Sequence, residues 1–263
     1  YDGPQGTGTL DHAVPVTVVT GGLGRGDFSY YQTGTLSIGD TLYTDWNGDG
    51  NQDPGEEGLA GVTVTLYEDA DGDGVIDVGV DALMSVLTTT ASGYYSFTDL
   101  PTGNYLVVVD PDTLPFPAGG SAQTEDYDGV VDNRAEISLT AVITTADFGY
   151  QPVGTGSIGD LVWRDNDHDG IADAGEPGLP GILVTLYQDQ DGNGILDPLV
   201  DAVVAITVTD ASGLYTFANL PAGNYLVDVD QDDADLPTDS YGNPFVLSSR
   251  YDPYPVALSA GED

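Results

Sequence analysis

Twelve residues, Asp45 to Glu56, carry the first chemistry in the chain. Side-chain oxygens fall at loop positions one (Asp45), three (Asn47), five (Asp49), nine (Asp53) and twelve (Glu56), with a glycine at six (Gly50). That is the ligand spacing of an EF-hand calcium loop. A hard divalent cation takes six to eight oxygens in one small shell. Alternate residues of a tight loop supply them, the glycine permits the sharp turn, and residue seven (Asn51) offers its carbonyl. The pattern recurs at Asp165, Asp167, Asp169, Gly170, Asp173 and Glu176, with Ile171 at the carbonyl position. One match could arise by chance in so acidic a chain; two complete matches at corresponding places predict Ca2+ as the cofactor.

A second pair of loops follows. Asp69, Asp71, Asp73, Gly74 and Asp77 are matched by Asp189, Asp191, Asn193, Gly194 and Asp197. Position twelve is Val80 or Val200, so closure falls to Asp81 and Asp201, one residue later. The spacing predicts a second calcium site per copy; the competing reading is a solvated acidic hairpin. A third group, Asp110, Asp112, Asp126 and Asp128, mirrored by Asp230, Asp232 and Asp233, is irregularly spaced and is a weaker candidate.

Composition narrows the partners. Lys+Arg is 4 against Asp+Glu of 44, a net charge of -40. Nothing here could neutralise phosphates, which excludes nucleic acid as a partner and argues against anionic lipid. The acids are mostly aspartates clustered in Gly/Asn-rich loops, which favours cation ligands over a halophilic surface, although halophilic solvation competes. With no cysteine there are neither disulfides nor thiolate metal sites. An apolar run of 18 residues is absent, so no membrane insertion is expected in this segment. Paired carboxylates abound, but none is set in an apolar context and no Ser/His or Cys/His set accompanies them, so the chain does not read as an enzyme.

The elements that position these loops come from an internal repeat. Ser37-Ile38-Gly39-Asp40 recurs as Ser157-Ile158-Gly159-Asp160, and the same offset carries Val64-Thr65-Leu66-Tyr67 onto Val184-Thr185-Leu186-Tyr187. Within each copy, β-branched runs of period two are bounded by Ala-Ser-Gly and Leu-Pro-x-Gly-Asn turns, and strong helical periodicity is absent. The pattern predicts an all-β chain of tandem β-sandwiches, about seven strands each, Ig-like in architecture. The calcium loops therefore sit between strands rather than helices. The boundaries read as 34–152 for the first copy and 153–263 for the second, the latter lacking its last strand. Residues 1–33 resemble the closing strands of a preceding repeat. They are expected to be either part of a longer array or a donor strand that completes a neighbouring subunit by β-strand addition. Arg25-Gly26-Asp27 falls within that stretch and reads as a structural turn.

Taken in order, Ser-Ile-Gly-Asp, Asp-x-Asn-x-Asp-Gly-x-x-Asp-x-Gly-Glu, Gly-Val-Thr-Val-Thr-Leu-Tyr, Ser-Gly-x-Tyr-x-Phe, Leu-Pro-x-Gly-Asn-Tyr and Asp-Phe-Gly-Tyr closely resemble the SdrD B-like repeats of bacterial surface proteins. These are relatives of the collagen-adhesin B-type, prealbumin-like domains. The resemblance covers both copies nearly end to end. It implies calcium-bound sandwiches arrayed as a stalk or fibre at a cell surface, with neighbouring repeats or identical subunits as partners. The alternative it leaves open is an adhesin module that binds a host or matrix ligand directly. Many B-type domains carry a Lys–Asn isopeptide cross-link; without lysine that bond cannot form here.

Overall fold

The computed structural model describes residues 34–116, 120–238 and 252–259. The closing-strand reading of residues 1–33 lies outside them. The first copy, here repeat one, contains β1 (Leu36–Thr44), β2 (Thr63–Glu68), β3 (Ala82–Thr88), β4 (Tyr94–Leu100), β5 (Gly103–Val109), β6 (Ser121–Asp126), β7 (Arg134–Leu139) and β8 (Phe148–Pro152). They pair as two four-stranded sheets, β3-β2-β5-β7 and β4-β1-β8-β6. The architecture is the expected sandwich, with eight strands in this repeat rather than about seven. The extra strand, β6, reads Ser-Ala-Gln-Thr-Glu-Asp and has no apolar alternation; its place comes from antiparallel pairing with β8.

Alternation explains why these segments are strands. Along β2, Val64 and Leu66 point inward at 0% exposure, while Thr63, Thr65 and Tyr67 face partly outward. In β5, Tyr105, Val107 and Val109 do the same from the neighbouring strand. From the opposite sheet come Ile38, Leu42, Phe97, Phe148 and Tyr150, so the two inner faces share one core. Buried polar groups are tied in. The Tyr95 hydroxyl donates to the Ala146 carbonyl at 2.6 Å and that of Tyr105 to the Pro101 carbonyl at 3.0 Å. Within a mostly antiparallel fold, β1 and β8 run parallel, Leu42 against Phe148.

Repeat two follows the same plan with β9 (Gly156–Leu161), β10 (Leu183–Gln188), β11 (Ala202–Val208), β12 (Leu214–Leu220), β13 (Gly223–Val229) and β14 (Tyr254–Leu258). Among the described residues these form the sheets β11-β10-β13-β14 and β12-β9. The register of β2 on β3 is reproduced by β10 on β11, including the bulge after Leu66 and after Leu186. The repeats touch. Trp46, from repeat one, packs against the core of repeat two, and the Gln190 side chain donates to the Gly55 carbonyl.

Replacing Leu66 by alanine removes a fully buried side chain from the middle of β2. We expect repeat one to lose about 2–5 kcal/mol, measured by urea unfolding. A loss below about 1 kcal/mol would contradict the core described above.

Candidate metal centres

Each loop hangs from a strand end. Asp45–Glu56 follows β1, and its two ends are clamped where the Thr44 amide donates to the Glu57 carbonyl at 2.9 Å. Asp69–Asp81 joins β2 to β3, and Asp189–Asp201 joins β10 to β11. Residues one and twelve or thirteen are thus held by rigid elements, and the loop between them must turn sharply. Glycines take the left-handed conformation where it does so. Position six has φ near 80° at Gly50, 75° at Gly74, 76° at Gly170 and 72° at Gly194. Position four is also left-handed, and His168 adopts φ 66° there at the steric cost a side chain carries in that region.

Backbone amides aim the carboxylates. In the first loop Asp45 accepts from Gly48 at 2.7 Å and from Gly50 at 2.9 Å, one through each oxygen. Asn47 accepts from Asp49, and Asp49 from Asn51. Glu56 accepts from the amides of Trp46 and Asp53, both at 2.8 Å. The loop of repeat two repeats this bond for bond. Asp165 accepts from His168 and Gly170, Asp167 from Asp169, Asp169 from Ile171, and Glu176 from Asn166 and Asp173.

The second pair of loops uses the same frame. Asp69 accepts from Gly72 and Gly74, and Asp189 from Asn193 and Gly194. Asp81 accepts from Ala70 at 3.0 Å and from Asp77 at 2.6 Å. Asp201 accepts from Gln190 and Asp197. These are the amides of positions two and nine, the same two that hold Glu56 and Glu176. A shorter acid one residue further on therefore reaches the place of the closing glutamate, which explains why position twelve can be valine.

Oxygens converge within three of the four loops. One carboxylate oxygen from each of Asp69, Asp71 and Asp73 lies within 4.8 Å of the other two. So do Asp189, Asp191 and Asp201, and in the remaining loop of repeat two both Asp165, Asp167, Glu176 and Asp167, Asp169, Asp173. In the Asp45–Glu56 loop no three carboxylates come so close. There Asn47 stands in place of Asp167, and its amide nitrogen donates to Asp53 at 3.0 Å. Among the anchoring acids Asp45, Asp69, Asp189 and Asp201 are buried, at 0%, 7%, 4% and 2% exposure, and Asp81, Asp165 and Glu176 are half-buried, whereas Asp71, Asp73, Asp49 and Asp53 are exposed. An all-oxygen set of this kind suits a hard cation such as calcium rather than a soft metal.

Two further carboxylates reach the loops from strands and carry no loop signature. Glu125 of β6 comes against Gly50, and Glu136 of β7 against Gly74. Only pairing of β6 with β8 and of β7 with β5 brings them there. The third, irregular group is not drawn together. Asp110 caps the short 3-10 helix Pro111–Thr113. Asp126 is 2% exposed in β6; Gln123 donates to its Oδ2 at 2.8 Å, and its Oδ1 has no partner.

Burial, then like charge, raises the acids. Burial is the main cause at Glu56, with Asp45 adding to it. Partial desolvation within the loop, then the neighbouring Asp73 charge, raises the exposed Asp71, and the same effects with Asp169 raise Asp167. Burial pushes Asp126 up to about 7, helped by Asp128 and Asp132, against the bond from Gln123. Asp228 is pushed up to about 6 by burial and by Asp252.

The comparisons agree with this organisation. The SdrD B-like domain family matches residues 36–150 and 156–252, and the chain belongs to it. Serine-aspartate repeat-containing protein F of Staphylococcus epidermidis is 32% identical over 206 residues, 76% of this chain and 10% of that protein. Serine-aspartate repeat-containing protein E and a bone sialoprotein-binding protein, both of Staphylococcus aureus, are each 34% identical over 201 residues, 76% of this chain and 16% of theirs. The chain thus spans a small part of the relatives it matches. Among solved structures, the shaft pilin SpaA of Lactobacillus rhamnosus GG aligns with 76% of this chain and 90% of its own at 15% identity and a TM-score of 0.33. The fold assignment rests on the strand pairing rather than on that alignment. Family membership assigns the chain to the bacterial cell surface, as the resemblance implied. Among the described residues no helix is long and apolar enough to cross a membrane.

The raised acids set a pH dependence. Folded Asp126 keeps its proton up to about pH 7, while an unconstrained aspartic acid loses it near 3.8. Folding therefore takes up a proton between those values, and the stability this gives at low pH is lost as pH rises through 7. In EDTA we expect the melting temperature to fall between pH 4 and pH 8, and Asp126→Asn to flatten that fall. A melting temperature that climbs over this range in EDTA would contradict the assignment.

Proposed function

We propose that the chain is a structural, non-catalytic segment of an extracellular stalk or fibre. Its two domains, residues 34–152 and 153–263, are each stapled by two calcium ions. The observation that carries this reading is the hydrogen-bonded frame shared by all four loops, three of which bring carboxylate oxygens within 4.8 Å of one another, in a protein of net charge -40. Position-one acids Asp45, Asp69, Asp165 and Asp189, the inner ligands Asn47, Asp49, Asp71, Asp73, Asp167, Asp169, Asp191 and Asn193, the acids at nine, and the closing Glu56, Asp81, Glu176 and Asp201 form the ligand sets. Asn51 and Ile171 add carbonyls. Calcium converts mutual repulsion of about 1–4 kcal/mol per acid pair into attraction. It thereby ties β1 to the segment entering β2, and β2 to β3, without a disulfide or an isopeptide bond.

The partners in this reading are calcium and neighbouring repeats. The Trp46 contact with the second core and the bond from Gln190 to Gly55 support a joint of restricted bending rather than a free hinge. Donor-strand exchange through residues 1–33 belongs to the same proposal. Removing residues 1–33 should then abolish any filaments the chain forms, as seen by electron microscopy; filaments that persist would rule out the exchange.

Equilibrium dialysis against labelled calcium should give one ion per loop, about four per chain. Asp69→Asn should lower the count by one with the fold intact by circular dichroism. A chain that binds no calcium at millimolar concentration would sink the proposal.

A further inference from the structure

The two repeats differ where they should match. In repeat two, Asp201 is 2% exposed, Ala202 0% and Val204 8%. One repeat earlier the corresponding residues are Asp81, which is half-buried, Ala82, which is exposed, and Met84, at 45% exposure. Leu83 on the same strand is 59% exposed where Val203 is half-buried, whereas further along Val86 and its counterpart Ile206 are both exposed, so the covered part is the start of the strand. The sequences of the two strands are similarly apolar, so side-chain type does not account for the difference.

What covers the later strand is the loop of repeat one. A Cβ built on Gly55 would lie 2.7 Å from the Ala202 amide nitrogen and 2.8 Å from the Asp201 carbonyl carbon, so this glycine sits directly on the start of β11. Gln190 donates to the Gly55 carbonyl. Trp46, at loop position two, lines the groove between repeats with Val204 and Phe217. Its place is fixed from both sides: its amide donates to Glu56, and its carbonyl accepts from the Gln151 side chain at 3.1 Å. The equivalent loop of repeat two makes no such contact among the described residues: Gly175, which corresponds to Gly55, has none of them within 4 Å of its Cβ position, and Asn166 stands where Trp46 does.

We propose that the exposed β3 face of repeat one, Asp81, Ala82 and Met84, is a docking surface for the calcium loop of another repeat of this family. That loop carries a large aromatic residue at position two and the Gly-Glu pair at eleven and twelve. The proposal rests on the stalk reading above and specifies its geometry: the acceptor face lies on the β2–β3 hairpin of a repeat, and the donor is a loop after the first strand that carries an aromatic residue at position two. Chemistry selects the occupant. The acceptor face offers apolar side chains and a backbone close enough for only a glycine to rest on, and the single example of that face in contact holds a Trp-bearing loop. Asn166 lacks the indole, so the loop of repeat two is a poor donor and two copies of this chain should not dock by it.

Met84 is the only methionine in the chain, and peroxide oxidation followed by mass spectrometry reads its coverage directly. In excess calcium, Met84 of the full chain should oxidise readily. In the double variant M84L/V204M the new sulfur should oxidise about fivefold more slowly, following the exposure of the two positions. Adding W46A to that variant should restore the faster rate. Inserting an extra copy of residues 34–153 ahead of Gly34, with M84L in the added copy, should slow Met84 of the original repeat to the V204M rate. W46A in the added copy should release it. The proposal is overturned if Met84 of the extended, folded chain keeps its original rate, as it would if the face served an unrelated extracellular ligand. It is also overturned if V204M oxidises as fast as Met84, or if W46A leaves the V204M rate unchanged. Failure of calcium to raise the melting temperature would count against the stapled loops alone and would leave these rates as predicted.

Discussion

Like-charge repulsion inside the loops is the constraint on which the rest of the structure depends. The fold brings three carboxylate oxygens within 4.8 Å of one another in most loops, while the whole chain has 4 basic residues. At such separations each pair costs about 1–4 kcal/mol depending on effective dielectric. Backbone amides hold the acids in place but do not cancel their charge. Arg134, one of the few cations, is committed to Asp132 at 3.2 Å and Glu136 at 3.6 Å. In the proposed reading a divalent cation would resolve this within the loops themselves, where the acids cluster.

The sandwich and the loops support each other. The strand ends set the distance between residues one and twelve, and the loop's own hydrogen bonds hold the turn between them. Through Trp46 the same loop reaches the next domain. Asp45 is fully buried, and its neighbour's indole lies against the second core. Order in the loop and order in the joint are thus parts of one unit. In a chain with no cysteine and no lysine, neither a disulfide nor a Lys–Asn bond can staple the loops, and the proposed coordination would take that role.

Much of this was legible in the sequence. The period-two run of β2, the Ala-Ser-Gly turns and the offset between Ser37 and Ser157 were enough for tandem sandwiches. Loop spacing picked out Asp45, Asp69 and the other acids that share one hydrogen-bonded frame, and Asp81, which accepts from the amides at positions two and nine as Glu56 does. The rest was not legible, for physical reasons. β6 has no alternation, because it lies at a sheet edge and gains its place from β8. The approach of Glu125 and Glu136 to the loops depends on strand pairing between residues far apart in sequence. Trp46 covers the core of the neighbouring repeat, which no pattern within one repeat can reveal. Asp126 is spaced irregularly and joins no cluster, and its raised carboxyl follows from its burial in β6 and from the charges of Asp128 and Asp132.

The most direct test is thermal unfolding of the full chain in excess calcium and again in EDTA at neutral pH. A ligand at a hundredfold excess over its dissociation constant adds about 2.7 kcal/mol per site to the folded state, so stapled loops predict a melting temperature lower by many degrees in EDTA. Identical melting in the two conditions would mean that the acid loops are solvated surface, and would contradict the account.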